Sequence, residues 1–185
     1  LMSNIASSLV SILYNFQLMR IVGEDGVSAY GVLMYVQFVF IAISIGYSIG
    51  SAPIVSYHYG AENYDELKNM FKKSSVLMGS SGVILTIAAI ALSSPVARLF
   101  VGYDSGRFEL TKHAFELFAY SFIFAGFNIF ASSFFTALND GGVSAIISFL
   151  RTLVFQSISV LVLPLLFDID GIWFAVTFAE ICAFT

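Results

Sequence analysis

The sequence predicts an all-α, polytopic transmembrane bundle of six helices, the last of them cut short at the end of the chain. Three observations lead there. Apolar residues make up 58% of the 185 residues and charged residues only 11%, where a soluble domain carries about 25% charged residues. Mean hydropathy is +0.90. The few charges also leave uncharged apolar runs near the roughly 20 residues a helix needs to cross the hydrocarbon core. A water-soluble chain of this size could not cover so much apolar surface. In lipid the backbone must satisfy its own hydrogen bonds, which leaves helices or a closed barrel. Long runs without period-two alternation decide for helices.

The first span covers 1–21, uncharged until Arg20. Gly23-Glu24-Asp25-Gly26 supplies the turn into the second, 27–57, which is long enough to tilt or bend. Residues 58–73 are polar and helix-prone, and lead into a third span at 70–93. Ser94-Pro95 reads as a helix start, so 94–113 is expected to be an interfacial connector with an amphipathic turn at Val96, Leu99 and Phe100. The fourth span is 110–138. Asn139-Asp140-Gly141-Gly142 turns into the fifth, 141–167, and Asp168-Ile169-Asp170-Gly171 into the sixth, 171–185. Neither end resembles a finished terminus, so a longer parent chain is expected. Lys and Arg are divided between the two sides and do not set the orientation.

The net charge of −4 is small and scattered, which argues against nucleic acid as a partner. A lone Cys182 excludes an internal disulfide and a cysteine metal cluster. His58 and His113 stand near the interfaces. No Gly-rich loop precedes a Lys-Ser/Thr pair, and Ser80-Ser81-Gly82 lacks a partner base. No catalytic, metal or cofactor site is therefore expected, and the chain is not read as an enzyme.

The polar residues within the spans fall in stripes. Asn4, Ser8, Ser11 and Asn15 share one helical face, as do Tyr30, Gln37, Ser44, Ser48 and Ser51, and likewise Ser121, Asn128 and Ser132. In the fifth span Ser144, Ser148, Arg151 and Thr152 lie along one side, with Gln156 and Ser159 nearby. Such faces point at other helices or at water. Small residues suit helix packing, and Gly46-x-x-x-Gly50 fits that use; buried amides such as Asn4, Asn15, Gln37, Asn128 and Gln156 suit packing or a wetted cleft equally. Arg151 stands about 15 Å into the fifth helix at 1.5 Å per residue. Glu180 reaches a similar depth in the sixth. An unpaired charge there costs at least about 2.5–3.5 kcal/mol, so pairing of the two is the simplest expectation, with a structural or a coupling role left open.

Particular residues carry a family resemblance. Pro53-Ile54-Val55-Ser56-Tyr57-His58-Tyr59-Gly60-Ala61, followed by Lys68, Lys72 and Lys73, resembles the loop between the eighth and ninth helices of the multidrug and toxic compound extrusion (MATE) family. Ser148-Phe149-Leu150-Arg151, Leu163-Pro164 and Gly171-Ile172-Trp173 with Glu180 downstream are similar to that family's eleventh and twelfth helices. Ala137-Leu138-Asn139-Asp140 stands where relatives often have Ala-Leu-Gly, and Gly23 to Gly31 is similar to the start of the eighth helix. The resemblance covers essentially the whole chain and matches the C-terminal lobe better than the N-terminal one.

The resemblance implies one lobe of a two-lobe, multi-pass plasma-membrane exporter, with lipid, an N-terminal lobe and small organic substrates as partners. It implies antiport of organic, often cationic, compounds against H⁺ or Na⁺ by alternating access. Some relatives use carboxylates in the seventh and tenth helices, where this chain has Asn4, Asn15 and Asn128. That departure puts sodium binding at those places in doubt. Glu180 is then the intramembrane carboxylate of this half, paired with Arg151. Tyr14, Asn15, Tyr35, Gln37, Phe127, Asn128 and Gln156 are the expected cleft residues, the aromatic ones suiting organic cations. The alternatives are a flippase for lipid-linked oligosaccharides, disfavoured by sparse basic residues, and a non-transport membrane assembly subunit, which predicts tightly closed polar faces.

Overall fold

A computed structural model describes residues 2–185, with side chains from Ile5 onward; the Asn4 side chain lies outside the described residues. The described chain is built of helices alone joined by short turns, in the order α1 (Met2–Ile21), α2 (Glu24–Gly60), α3 (Tyr64–Val101), α4 (Ser105–Ala119), α5 (Ser121–Ala137), α6 (Gly141–Phe149), a π-helical segment (Leu150–Phe155) and α7 (Gln156–Phe184). Asp168 breaks α7 at φ 49° and ψ −128°, giving a first arm, 156–167, and a second arm, 169–184. With α4 and α5 counted as one helix bent by 46°, and α6, the π segment and the first arm as another, six helices cross the bundle. At about 1.5 Å per residue α2 is roughly 55 Å long, more than the hydrocarbon core.

The connections follow ordinary capping chemistry. Gly23 takes φ 82° between α1 and α2, a conformation that glycine enters without steric cost. Asn63, Asp104 and Asp140 accept bonds from backbone N–H groups in the first turns of α3, α4 and α6. A tight turn joins the two arms of α7. A Cβ on Gly171 would lie 2.3 Å from the Leu163 carbonyl oxygen, so only glycine lets the second arm fold back this closely.

The structure corrects the expected connector at 94–113. Helix α3 runs unbroken through Ser94-Pro95 to Val101. Pro95 removes one helical donor, but the buried face Ala89, Ser93, Ala97, Val101 continues past it at four-residue spacing, and that packing carries the helix on. The irregular connection is confined to the few residues between Val101 and Ser105.

α5 is central, touching α2, α3, α6 and α7, while α4 touches α2, α3 and α7. The main core joins Val10, Tyr14 and Leu18 of α1 to Tyr30 and Leu33 of α2, Phe115 and Phe118 of α4, and Val160, Ile172 and Trp173 of α7. A smaller cluster of Val55, Leu67, Met78, Phe130 and Phe134 closes the other end. Close helix approach occurs at Gly82, where a Cβ would meet the Phe122 and Ile123 carbonyl oxygens at 2.8 and 2.9 Å. It does not occur at Gly46 and Gly50, which have nothing within 4 Å. The expected Gly-x-x-x-Gly contact is thus absent among the described residues, because α2 turns its serine face inward instead, with Ser44, Ser48 and Ser51 buried.

Bends free backbone carbonyls, and polar side chains fill them. Pro164 has no N–H for the Val160 carbonyl four residues back; Gln17 of α1 donates its Nε2 to that oxygen at 3.3 Å. Around the α4–α5 bend, Thr86 donates to the Ala119 carbonyl at 3.1 Å and Thr177 to that of Leu117 at 3.3 Å. These polar residues, which lie outside the stripes, therefore repair helix irregularities, made necessary because lipid supplies no water.

Candidate functional site

The two ionised residues inside the apolar runs meet. Arg151 stands in the π segment and Glu180 in the second arm of α7. Arg151 donates its Nε to both Glu180 carboxylate oxygens, each at 2.9 Å, and its Nη2 lies 2.9 Å from Oε1. From α5, Asn128 donates its Nδ2 to Glu180 Oε2 at 2.7 Å and to the Glu180 backbone carbonyl at 2.9 Å. An ionised carboxylate offers about four lone-pair sites, and these contacts occupy them. The side chains are unequally covered: Glu180 is 2% exposed and Arg151 16%.

The fold builds this site from three pieces. Asp168 and Gly171 bring the second arm back against the first. The π turn changes the hydrogen-bonding register from i→i−4 to i→i−5, a local irregularity that often marks functional sites. Asn128 is held at 3% exposure on the inner face of α5, among Ser121, Ala125 and Phe130. Charge-assisted bonds of this kind are stronger than neutral ones, and they offset the desolvation that makes an isolated charge so costly. The pair is internally neutral, and the space a cation would need beside Glu180 is filled by the guanidinium.

The other expected cleft residues are dispersed. Tyr14 lies in the main core at 2% exposure, its ring stacked on Tyr30 at 5.0 Å; it belongs to the inward face Ala6, Val10, Tyr14, Leu18 and lines no open wall of this lobe. Asn128, too, is interior and bonded to Glu180. Asn15 is half-buried and donates to the Ser11 carbonyl at 2.8 Å. Gln37 and Gln156 are half-buried, and Tyr35 is 70% exposed. Phe127 packs against the Phe184 ring at 5.4 Å and over Gly79.

A second polar group lies on the same side of α5. Ser132 meets the Ser144 and Ser148 hydroxyls at 2.9 and 2.8 Å, and Thr136 donates to Ser144 at 2.7 Å. Thr136 was not among the expected stripe residues, although its position four after Ser132 places it there.

Taken together, these features define a class: a polytopic membrane bundle with a neutralised ion pair locked among its helices. The family model described as MatE matches residues 1–161, and the chain belongs to this family of MATE transporters, which are transporters and not enzymes. No match was found among curated proteins. Solved structures share the fold. An outward-facing multidrug resistance MATE family transporter of the MOP superfamily superposes with a TM-score of 0.91 at 17% identity, over 99% of this chain and 41% of that one. The bent form of the Vibrio cholerae MATE transporter VcmN gives 0.91 at 16% identity, over 98% and 41%. A MOP superfamily transporter from Pyrococcus furiosus gives 0.89 at 18%, over 99% and 42%. The chain thus spans about two-fifths of the length of the transporters it matches.

Proposed function

We propose that this chain is the C-terminal lobe of a secondary exporter in the plasma membrane. It moves amphipathic organic compounds, often cationic, outward against H⁺ or Na⁺. The lobe rocks against an N-terminal partner lobe, exposing the cleft between them to each side in turn. The observation that carries this reading is the buried Arg151–Glu180 pair, set in a bundle of MATE family and fold. Intramembrane ionised groups are expensive and mark ion or substrate pathways by default.

The geometry constrains the coupling. A coupling cation needs a carboxylate without a resident counter-ion, and Glu180 has Arg151 in that place. Uptake of H⁺ or Na⁺ at Glu180 therefore requires Arg151 to swing away, leaving Asn128 as the remaining partner. The half-buried Asn15, Gln37 and Gln156 and the exposed Tyr35 are the cleft candidates that retain some access, with Phe127 a further candidate beside Phe184.

The flippase alternative draws no support, since Arg151 is the single basic residue within the apolar runs 26–57, 74–97, 117–138, 141–167 and 171–185, too few for a large anionic headgroup. Membership in a transporter family stands against a purely structural subunit. The test is Glu180→Gln in the intact protein, assayed for drug resistance in cells and for transport in proteoliposomes. Resistance and transport are expected to fall when normalised to the amount of folded protein, since the change also leaves Arg151 unpaired. Unchanged proteoliposome transport would remove Glu180 from the mechanism.

A further inference from the structure

The Arg151–Glu180 pair is lopsided, and the side it leaves open has a sign. Nε and Nη2 of Arg151 are spent on Glu180. Nη1 has no partner among the described residues, so its two N–H donors remain. The side-chain exposures run the same way: Glu180 is sealed at 2%, while Arg151 keeps 16%. What this site leaves without a partner is therefore the donor edge of a cation.

That edge stands well inside an apolar run, at a depth where a guanidinium facing hydrocarbon is strongly disfavoured. It must face the polar cleft or the partner lobe. The register of neighbouring elements agrees with this. Helix α1 touches the π segment and carries Ser11 and Asn15, both half-buried. Gln156 follows Arg151 by five residues, one π turn, and so shares its face. No carboxylate other than Glu180 lies within the apolar runs 26–57, 74–97, 117–138, 141–167 and 171–185.

We infer that the open edge of Arg151 is a subsite for an oxyanion of the transported compound, a carboxylate above all, so that this lobe favours compounds that carry a carboxylate beside their cationic group over those that carry the cation alone. The planar fork of arginine suits a carboxylate oxygen. Glu180 holds the guanidinium in place from behind without competing for Nη1. An ammonium group on the same compound finds no free carboxylate here and is left to the aromatic walls or the other lobe. This inference rests on the exporter reading above and specifies one end of its substrate.

The experiment compares equilibrium binding of two probes to the purified full-length protein in nanodiscs. They are rhodamine B, which carries a free carboxylate, and its ethyl ester, a cation of nearly the same shape. The acid is expected to bind at least about tenfold more tightly than the ester, the scale of one hydrogen bond to a charged group. In the charge-neutral double variant Arg151→Gln/Glu180→Gln the ratio is expected to fall to about one. Should that variant fail to fold, Arg151→Lys serves in its place. A lysine ammonium drawn to Glu180 has no second edge, so the ratio is expected to drop several-fold. Equal affinities in the natural protein, or tighter binding of the ester, overturn the inference while leaving the exporter reading intact, as does a ratio that survives both variants. Binding of neither probe, together with no export of either from proteoliposomes, overturns both.

Discussion

Asn128 and Ser132 stand one turn apart on the same side of α5, yet their surroundings solve the problem of buried polarity in different ways. Ser132 joins a neutral hydroxyl zipper with Thr136, Ser144 and Ser148, all from α5 and the neighbouring α6. Asn128 joins an ionic cluster whose members come from α5, the π segment and the second arm of α7. The zipper is local: its sequence separations are between 8 and 16 residues, and each hydroxyl can turn to suit its neighbour. The ionic cluster spans separations of 29 and 52 residues and depends on the helical break at Asp168. A hydroxyl that loses its partner in a membrane helix can bond back to its own backbone. A buried carboxylate has no such retreat. The first arrangement is glue between neighbouring helices; the second ties the lobe together at one ionised point.

The largest effect should come from removing one charge. Glu180→Ala leaves Arg151 unpaired and is expected to destabilise the protein by about 3–5 kcal/mol, while Arg151→Met/Glu180→Leu recovers most of that loss. Unfolding in mixed detergent micelles measures both, and a double variant no better than the single would break the account of the pair. Next comes Gly171→Val, which drives a side chain against the Leu163 carbonyl and should cost about 3 kcal/mol, the upper end for overpacking. Its cost should be non-additive with Glu180→Ala, because both act on the fold-back of the second arm, and additive with Ser132→Ala. Additivity in both cases would detach the ionic cluster from the α7 turn. Asn128→Ala should cost about 1–3 kcal/mol through the unsatisfied acceptors it leaves behind. Ser132→Ala closes the series at about 0.6 kcal/mol, the average for hydrogen bonds between membrane helices. A zipper variant as costly as the Asn128 one would erase the distinction between the two regions.

Much of this was legible in the sequence. Charge-free runs mark where the helices lie, because a single charge in hydrocarbon costs more than most other local preferences. The depth of Arg151 and Glu180 followed from counting residues along two successive helices, and their pairing from the cost of leaving either alone. Less legible was the direction of each polar residue. The amides of Asn15, Asn128 and Gln156 look alike in sequence, yet Asn128 is sealed against Glu180 while the other two keep partial access. Gln17 stood apart from the stripes altogether; its role at the carbonyl freed by Pro164 needs both helices in view. Pro95 misled because a proline allows a helix start without requiring one.

The sequence by itself determined the solvent, the helical class and the location of the two costly charges, since each follows from transfer free energies that act residue by residue. Only the tertiary structure decided which way the charges turn. The π register of Arg151, the break at Asp168 and the close approach at Gly171 arise from packing between segments distant along the chain. Together they bury the carboxylate more deeply than its arginine partner, an asymmetry that no count of charges in the sequence contains.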